Sequence, residues 1–498
     1  MAGIYGADVA QLRALSKQLK ASSAQLMSTR TALSRDVQNS ASWSGSDADR
    51  FRGEWNVTHR ALLAKVIEAL AGAGKAVALH ADEQERASSA DGGSAPGQAR
   101  TAGGAGTATG RVAGALPDRK DYSVARHPDR GQADLTQRDL DRLKALVRDA
   151  GGTSDFLMGN DTDLNELRDA LSGLKPAQLN QLLESLSDDD LRYLSTGAAS
   201  DGKGLFNGEG TTPFERQQLL DQLLSKGSPE QVARLKSLIP WAQPNGEAMG
   251  DAARPGGAGP STTNEWMDPR HPVIGRQPGT DDIRQGLYGD CVVLAAAGAM
   301  INADSNWARD HVTDNGNGTV SVQLYDKNGQ GQWVTVTRDL PANEYGGQMG
   351  AKAGFGGNWP AYIEKALSQV YTEDDNNDGT PEGAPPDVAH PPGNYRAIEG
   401  NWGPDAFQYL AGPDVERTRD ADLLWQSALQ GSPSLVTTFG ETPEGAPAGY
   451  RANHAYFVTG TDDKGNIILQ NPHGPQEPLM SISKEDFRNL FSDATVAH

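Results

Sequence analysis

Along residues 7–86 apolar side chains recur mostly every three, four or seven positions. Leu12, Leu15, Leu19, Leu26, Leu33 and Val37 come first, then Phe51, Trp55, Leu62, Val66, Leu70 and Val77. That spacing predicts two amphipathic helices, each with one stripe to bury. Gly45 lies between them to turn the chain, and Ser46 or Asp47 stands ready to cap the second helix. Neither helix covers its own stripe, so the two are expected to fold back on each other. Residues 135–240 return to helical spacing. Ser187 opens one helix ahead of three aspartates, and Ser228-Pro229-Glu230-Gln231 opens another with a cap followed by a proline at the first helical position. Past residue 276 the period changes. TVSVQLYD (319–326) and GQWVTVTRDL (331–340) are β-branched and aromatic runs joined by Asn/Gly turns, while VVLAAAGAMI (292–301) reads as a buried helix. A helix followed by strands and hairpins predicts an α+β domain.

Length supports this division, since 498 residues exceed what one core serves. The expected organisation is multidomain: an all-α hairpin at 1–87, a Gly/Ser/Ala-rich flexible linker at 88–134, a small helical domain at 135–240, a Pro/Gly-rich linker at 241–275, and the α+β domain at 276–498. A formal charge of −20 disfavours nucleic acid and anionic membranes as partners. The N-terminus lacks the charged-then-apolar pattern of a Sec signal. The longest apolar run, Cys291 to Ile301, falls far short of the ~20 residues of a membrane span. The single cysteine excludes an intramolecular disulfide.

That cysteine sits in RQGLYGDCVVLAAAGAM (284–300), at the predicted start of the apolar helix, where unpaired amides and the macrodipole favour a thiolate. A buried structural cysteine is the competing interpretation. A thiol nucleophile needs a base and a group to orient that base. NHAYFVTG and IILQN read as two strands joined by Thr461-Asp462-Asp463-Lys464-Gly465, a turn in which Gly465 is free to adopt a left-handed conformation. A hairpin centred between Asp462 and Asp463 sets His454 across from Asn471, and a bulge shifts that by one or two rungs. Among the other histidines, His311 and His390 fall in loop-like text, and His473 competes with His454 as the base. Gln285, six residues before Cys291, is placed to donate to an oxyanion together with the amide of Cys291.

QGLYGDCVVLAA resembles the Q-G-x-x-G-D-C-x-x-x-A motif of calpain-type cysteine proteases. NHAYFVTG is similar to their H-A-Y-x-V strand, LQNPHG to their N-P-W-G strand, and GGNWPAYIEKALSQV (356–370) and IEGNWGPDAFQYLAG (398–412) to helical stretches of their papain-like core. The resemblance runs in family order across about 276–498. It implies Cys291 as nucleophile, His454 as general base and then acid, Asn471 as the orienting group and Gln285 in the oxyanion hole. Val292 and His473 stand where that family has tryptophan, and the second change implies a less shielded His454–Asn471 bond and reduced activity. Separately, Trp43-Ser44-Gly45 between two amphipathic helices resembles the Trp-x-Gly hairpin proteins of type VII secretion, although their Tyr-x-x-x-Asp/Glu tail is absent from 79–89.

Together the resemblances imply a bacterial calpain-like endopeptidase, secreted by a non-Sec route and cytoplasmic before export. It would act as a toxin or effector on protein or peptide substrates, cut its own linkers, and partner the secretion machinery or another helical hairpin. The alternatives are acyl transfer or amide hydrolysis on a non-protein substrate, and a non-catalytic binding scaffold. No cofactor is required by such a mechanism. Animal members of the family use calcium, and TEDDNNDGTPEG (372–383) opens like an EF-hand loop, but position twelve is Pro385 rather than glutamate. No GxSxG, HExxH or P-loop motif occurs.

Overall fold

The computed structural model describes residues 9–39, scattered positions between 52 and 78, and 134–152, 161–198, 212–250, 260–326, 328–371, 393–400 and 403–498. The chain divides into two compact units, Met1–Ala108 and Thr109–His498.

In the first unit α1 spans Val9–Asn39. Ser23 Oγ donates to the Ile67 carbonyl (2.8 Å), Trp55 Nε1 to Ser34 Oγ (3.3 Å) and Arg52 Nε to the Val37 carbonyl (3.1 Å). One partner's number rises as the other's falls, so the returning segment runs antiparallel to α1. Ser16 and Ser23 are buried with Trp55 and Ile67, whereas Leu33 is 42% exposed. Small serine side chains admit a neighbouring backbone closely, as the Ser23–Ile67 bond shows, and that close approach selects the face. The Trp43-Ser44-Gly45 turn and residues 79–89 lie outside the described residues, as does nearly all of 88–134.

The second unit contains both helices and sheets. It begins with α2 (Gln137–Gly151), α3 (Asp161–Ser172), α4 (Pro176–Ser185), α5 (Asp188–Ala198), α6 (Pro213–Lys226) and α7 (Pro229–Leu238), packed around a leucine-rich core. Ser187 Oγ accepts from the Asp190 amide at 3.1 Å and Ser228 Oγ from the Gln231 amide at 3.3 Å, so both serines cap as expected. These helices meet the following sheet. Asn317 Nδ2 donates to the Leu224 and Gly227 carbonyls at 2.8 and 2.7 Å, closing the C-terminal end of α6. Thr335 Oγ1 donates to Asp221 at 2.5 Å.

Next come β1 (Glu265–Met267), α8 (Cys291–Ala303), α9 (Trp307–His311), β2 (Val312–Asp314), β3 (Thr319–Tyr325), β4 (Gly331–Thr337), β5 (Leu340–Ala342) and α10 (Trp359–Val370). Strands β2-β3-β4 form one antiparallel sheet, and β1 pairs with β5. The last elements are α11 (Gly403–Ala411), β6 (Val415–Thr418), α12 (Ala421–Gln430), β7 (Ser434–Thr438), β8 (Ala455–Thr461), β9 (Ile467–Gln470), β10 (Met480–Ile482), α13 (Lys484–Leu490) and β11 (Phe491–Ala497). Their strands make an antiparallel sheet in the order β10-β9-β8-β7-β11-β6.

Helix α8 is apolar nearly all round and almost wholly buried, as a helix with neighbours on every side must be. It lies on β8, with α11 and α10 also against it. Gly298 is the contact point: a Cβ built there comes within 2.7 Å of the Phe457 ring. Gly298→Ala is expected to lower stability by about 1–3 kcal/mol through overpacking, read as a shift in the denaturant midpoint.

Residues 241–250 and 260–275, linker by composition, are bonded into the unit. Asn245 bridges Asn394, Ala248 pairs with Ser261, and Ile274 bridges Gly357. Composition reports backbone freedom, but here prolines and glycines suit irregular bridges that Glu265–Met267 extends into a strand. Among the described residues no helix is long and apolar enough to cross a membrane.

Candidate active site

Cys291 is the first residue of α8 and is 9% exposed. Asp290 holds the N-cap position, yet its side chain makes no capping bond. The first amides of α8 are therefore not taken by that carboxyl, and their partial charge favours an anion at the helix start. The preceding turn is packed backbone to backbone. The Leu287 amide donates to the Met349 carbonyl (2.7 Å) and the Lys352 amide to the Arg284 carbonyl (2.8 Å). A Cβ on Gly286 would lie 2.1 Å from the carbonyl oxygens of Met349 and Gly350, so the approach requires glycine.

His454 precedes the first rung of β8 and Asn471 follows the last residue of β9. Phe457 pairs with Gln470, where a symmetrical hairpin would offer Ile468. The register is thus displaced by two residues, with an irregularity between Val458 and Gly460. The two side chains still meet: His454 Nε2 lies 2.9 Å from Asn471 Oδ1. Gly465 is left-handed at φ 78°, as the turn demands. Asn453, just before the histidine, holds φ 50°, an uncommon conformation for a residue other than glycine. The backbone of His454 is locked onto Thr438. Its amide donates to Thr438 Oγ1 (2.9 Å), and its carbonyl accepts from the Thr438 amide (2.9 Å) and hydroxyl (3.0 Å).

A backbone bond ties the two halves together close to the candidate residues. The amide of Gln285 donates to the carbonyl of Pro472 at 2.8 Å, joining the turn before Cys291 to the residue after Asn471. Cys291 also lies near enough to Tyr456 on β8 for its negative charge to oppose ionisation of that phenol, which burial already holds well above its ordinary range.

Gln285 itself is buried. Its Nε2 donates to the Tyr288 carbonyl at 2.8 Å, and its Oε1 has no hydrogen-bond partner. The group expected to face an oxyanion is thus partly engaged by its own turn. His473 is buried beside His454, ring centroids 4.7 Å apart, and its amide donates to Asn471 Oδ1 at 2.9 Å. It packs against the candidate base and helps fix the orienting amide. His311 is not in a loop: it ends α9, stacks on Trp307 at 4.8 Å, and burial lowers its pKa. His390 and the EF-hand-like stretch lie outside the described residues. Among those described, no group of three or more His, Cys, Asp or Glu side chains is arranged to hold a metal ion.

Three neighbours escape sequence reasoning. Thr438 positions the histidine backbone from another strand. Asp290 and Glu399 flank the thiol turn from inside, Glu399 accepting from the Gly289 amide at 2.7 Å. Asp290 was visible as the residue before Cys291 but reads as an ordinary cap, and nothing local marks Glu399. No family model matches the chain, and no curated protein is significantly similar to it.

Proposed function

We propose that the C-terminal α+β part is a calpain-like cysteine endopeptidase working through Cys291, His454 and Asn471. The observation that carries this reading is the Gln285–Pro472 bond. It joins the turn that leads into Cys291 to the residue after Asn471, whose side chain bonds His454. In the proposed reaction the Cys291 thiolate attacks a peptide carbonyl, forming a C–S bond and an oxyanion. The amide of Cys291 donates to that oxyanion, joined by the Gln285 carboxamide when its second N–H leaves the long 3.4 Å contact with Asp290 Oδ1. Protonated His454 gives its proton to the departing amine as the C–N bond breaks. Water then attacks the thioester, His454 takes the water's proton, and the C–S bond breaks to return the thiolate. Asn471 Oδ1 holds Nε2, so that the other ring nitrogen does the transferring.

The orientation of Gln285 favours a second reading, a catalytically weak domain that binds without cutting. Met27 and Leu33, exposed on α1, support pairing of the N-terminal unit with another helical hairpin during type VII export, and an effector or toxin role belongs to the same proposal.

The test is covalent labelling with an electrophilic peptide epoxide, read by mass spectrometry. The endopeptidase reading expects one adduct at Cys291 in the wild type and none in His454→Ala. No adduct on a folded wild-type chain favours the scaffold, and an undiminished adduct in His454→Ala removes the histidine from its role.

A further inference from the structure

The inner side of the thiol turn is lined by carboxyls that the proposed reaction does not use. Asp290, 1% exposed, makes no cap to its helix: its Oδ1 lies 3.4 Å from Gln285 Nε2, its Oδ2 is buried without a hydrogen-bond partner, and the Glu364 carboxyl on α10 acts on it. Glu364 is fully buried, and its two oxygens accept from the Ala351 amide at 3.0 and 2.8 Å. Glu399 lies behind them, taking the amides of Gly289 (2.7 Å), Met249 (2.6 Å) and Gly250 (3.2 Å). The phenols of Tyr288 and Tyr395, stacked 4.4 Å apart, complete the surroundings. Lys352 acts on Glu364 and Arg396 on Glu399.

Two carboxyls in this setting cannot both ionise, and a proton between them becomes a hydrogen bond. We propose that Asp290 keeps its proton and donates it to Glu364, so that the residue bonded to Cys291 stays uncharged and the amide end of α8 is left to the thiolate. Asp290 and Glu364 are then positioning residues for the nucleophile. An ionised Asp290 would place a negative charge next to the thiolate and oppose its formation. Burial and the Glu364 charge hold Asp290 far above the usual carboxylate range, and burial pushes Glu364 up to about 7. In the pair, the negative charge therefore sits on the partner farther from the thiol.

This inference rests on Cys291 being the nucleophile, and its test separates the two. Because the chain holds one cysteine, iodoacetamide alkylation of the full-length protein reports that thiol alone, and its rate against pH gives the midpoint of thiolate formation. Asp290→Asn keeps a donor to Glu364 and adds no charge, so its midpoint should stay within about 0.3 pH units of wild type. Glu364→Gln removes the charge that keeps Asp290 protonated and lets Asp290 ionise. Its midpoint should rise by about one unit, roughly tenfold slower alkylation below both midpoints. The double variant should return to the wild-type value or below it.

A fall of a unit or more in Asp290→Asn would show that Asp290 is charged in the native protein and overturn the proposal, as would an unmoved midpoint in Glu364→Gln. Circular dichroism establishes folding, and if Asp290→Asn fails to fold, Glu364→Gln and the double variant still decide. A wild-type midpoint at the ordinary thiol value of about 8.5 would instead count against the nucleophile, while the differences between variants would still judge the carboxyl pair.

Discussion

Cys291→Ala will cleave a fluorogenic peptide at a kcat/KM at least about 10³-fold below wild type, and adding His454→Ala will cost almost nothing more. The reason is that nucleophile and base act as a unit: once the thiol is gone, the imidazole has no proton to move for it. What survives is the effect of binding and oxyanion donors on slow attack by water, about 10³-fold over the uncatalysed reaction in the serine-protease precedent. The substitution is conservative for folding, because one sulfur atom leaves a position at the edge of the core. Circular dichroism and thermal melting should therefore overlay wild type. Activity within tenfold of wild type for the single variant would remove the thiol from the chemistry. An equally inactive wild type would point to the binding scaffold.

The second large effect is on stability. Lys365 is fully buried on α10. Its Nζ donates to the Thr337 carbonyl and hydroxyl, both at 2.8 Å, and to the Asp339 carbonyl at 2.5 Å. It also pairs with the Asp339 carboxylate at 3.3 Å and lies 4.4 Å over the Trp266 ring. One ammonium thus closes β4, β5 and β1 onto the helix. Lys365→Met keeps the length but strands these acceptors, and breaking a buried pair from one side costs about 3–5 kcal/mol. Lys236 also pairs with Asp339 from a more exposed position, so the lower end of that range is expected in urea unfolding at pH 7.

The pH dependence supplies a sign. Burial pushes Lys365 down to about 8 in the folded chain, against about 10.4 when unfolded. Between those values the unfolded state binds more protons, so this group's contribution to stability rises with pH. The gap between wild type and Lys365→Met should therefore widen from pH 8 to 10. A gap that narrows over that interval would show that the lysine stays charged.

What is legible in the sequence depends on range. His454 and Asn471 flank one hairpin, so strand alternation and a Gly465 turn suffice to bring them together, and the apolar run after Cys291 announces a helix start. The register is not legible: it stands three residues off symmetry at Thr461–Ile467 and changes by one at Thr459, and a bulge is decided by what β8 and β9 pack against. Nor is the environment of Gln285. Spacing places it before the thiol, but the bond to the Tyr288 carbonyl depends on a turn held by Met349 and Pro472. Asp290, Glu364 and Glu399 come from three separate parts of the chain and carry no local pattern. Leu33 is exposed although it shares the predicted stripe, because periodicity marks an apolar face without telling how far along the helix a partner covers it.

Glu399 has a bearing on how the chain could be trimmed. With one carboxylate it grips Met249 and Gly250 upstream and Gly289 two residues before the thiol. An excised fragment starting at residue 276 would keep the Glu399–Gly289 bond but lose the Met249 and Gly250 half of that brace. Severing the chain ahead of residue 135 would preserve the whole brace and shed only the leading portion.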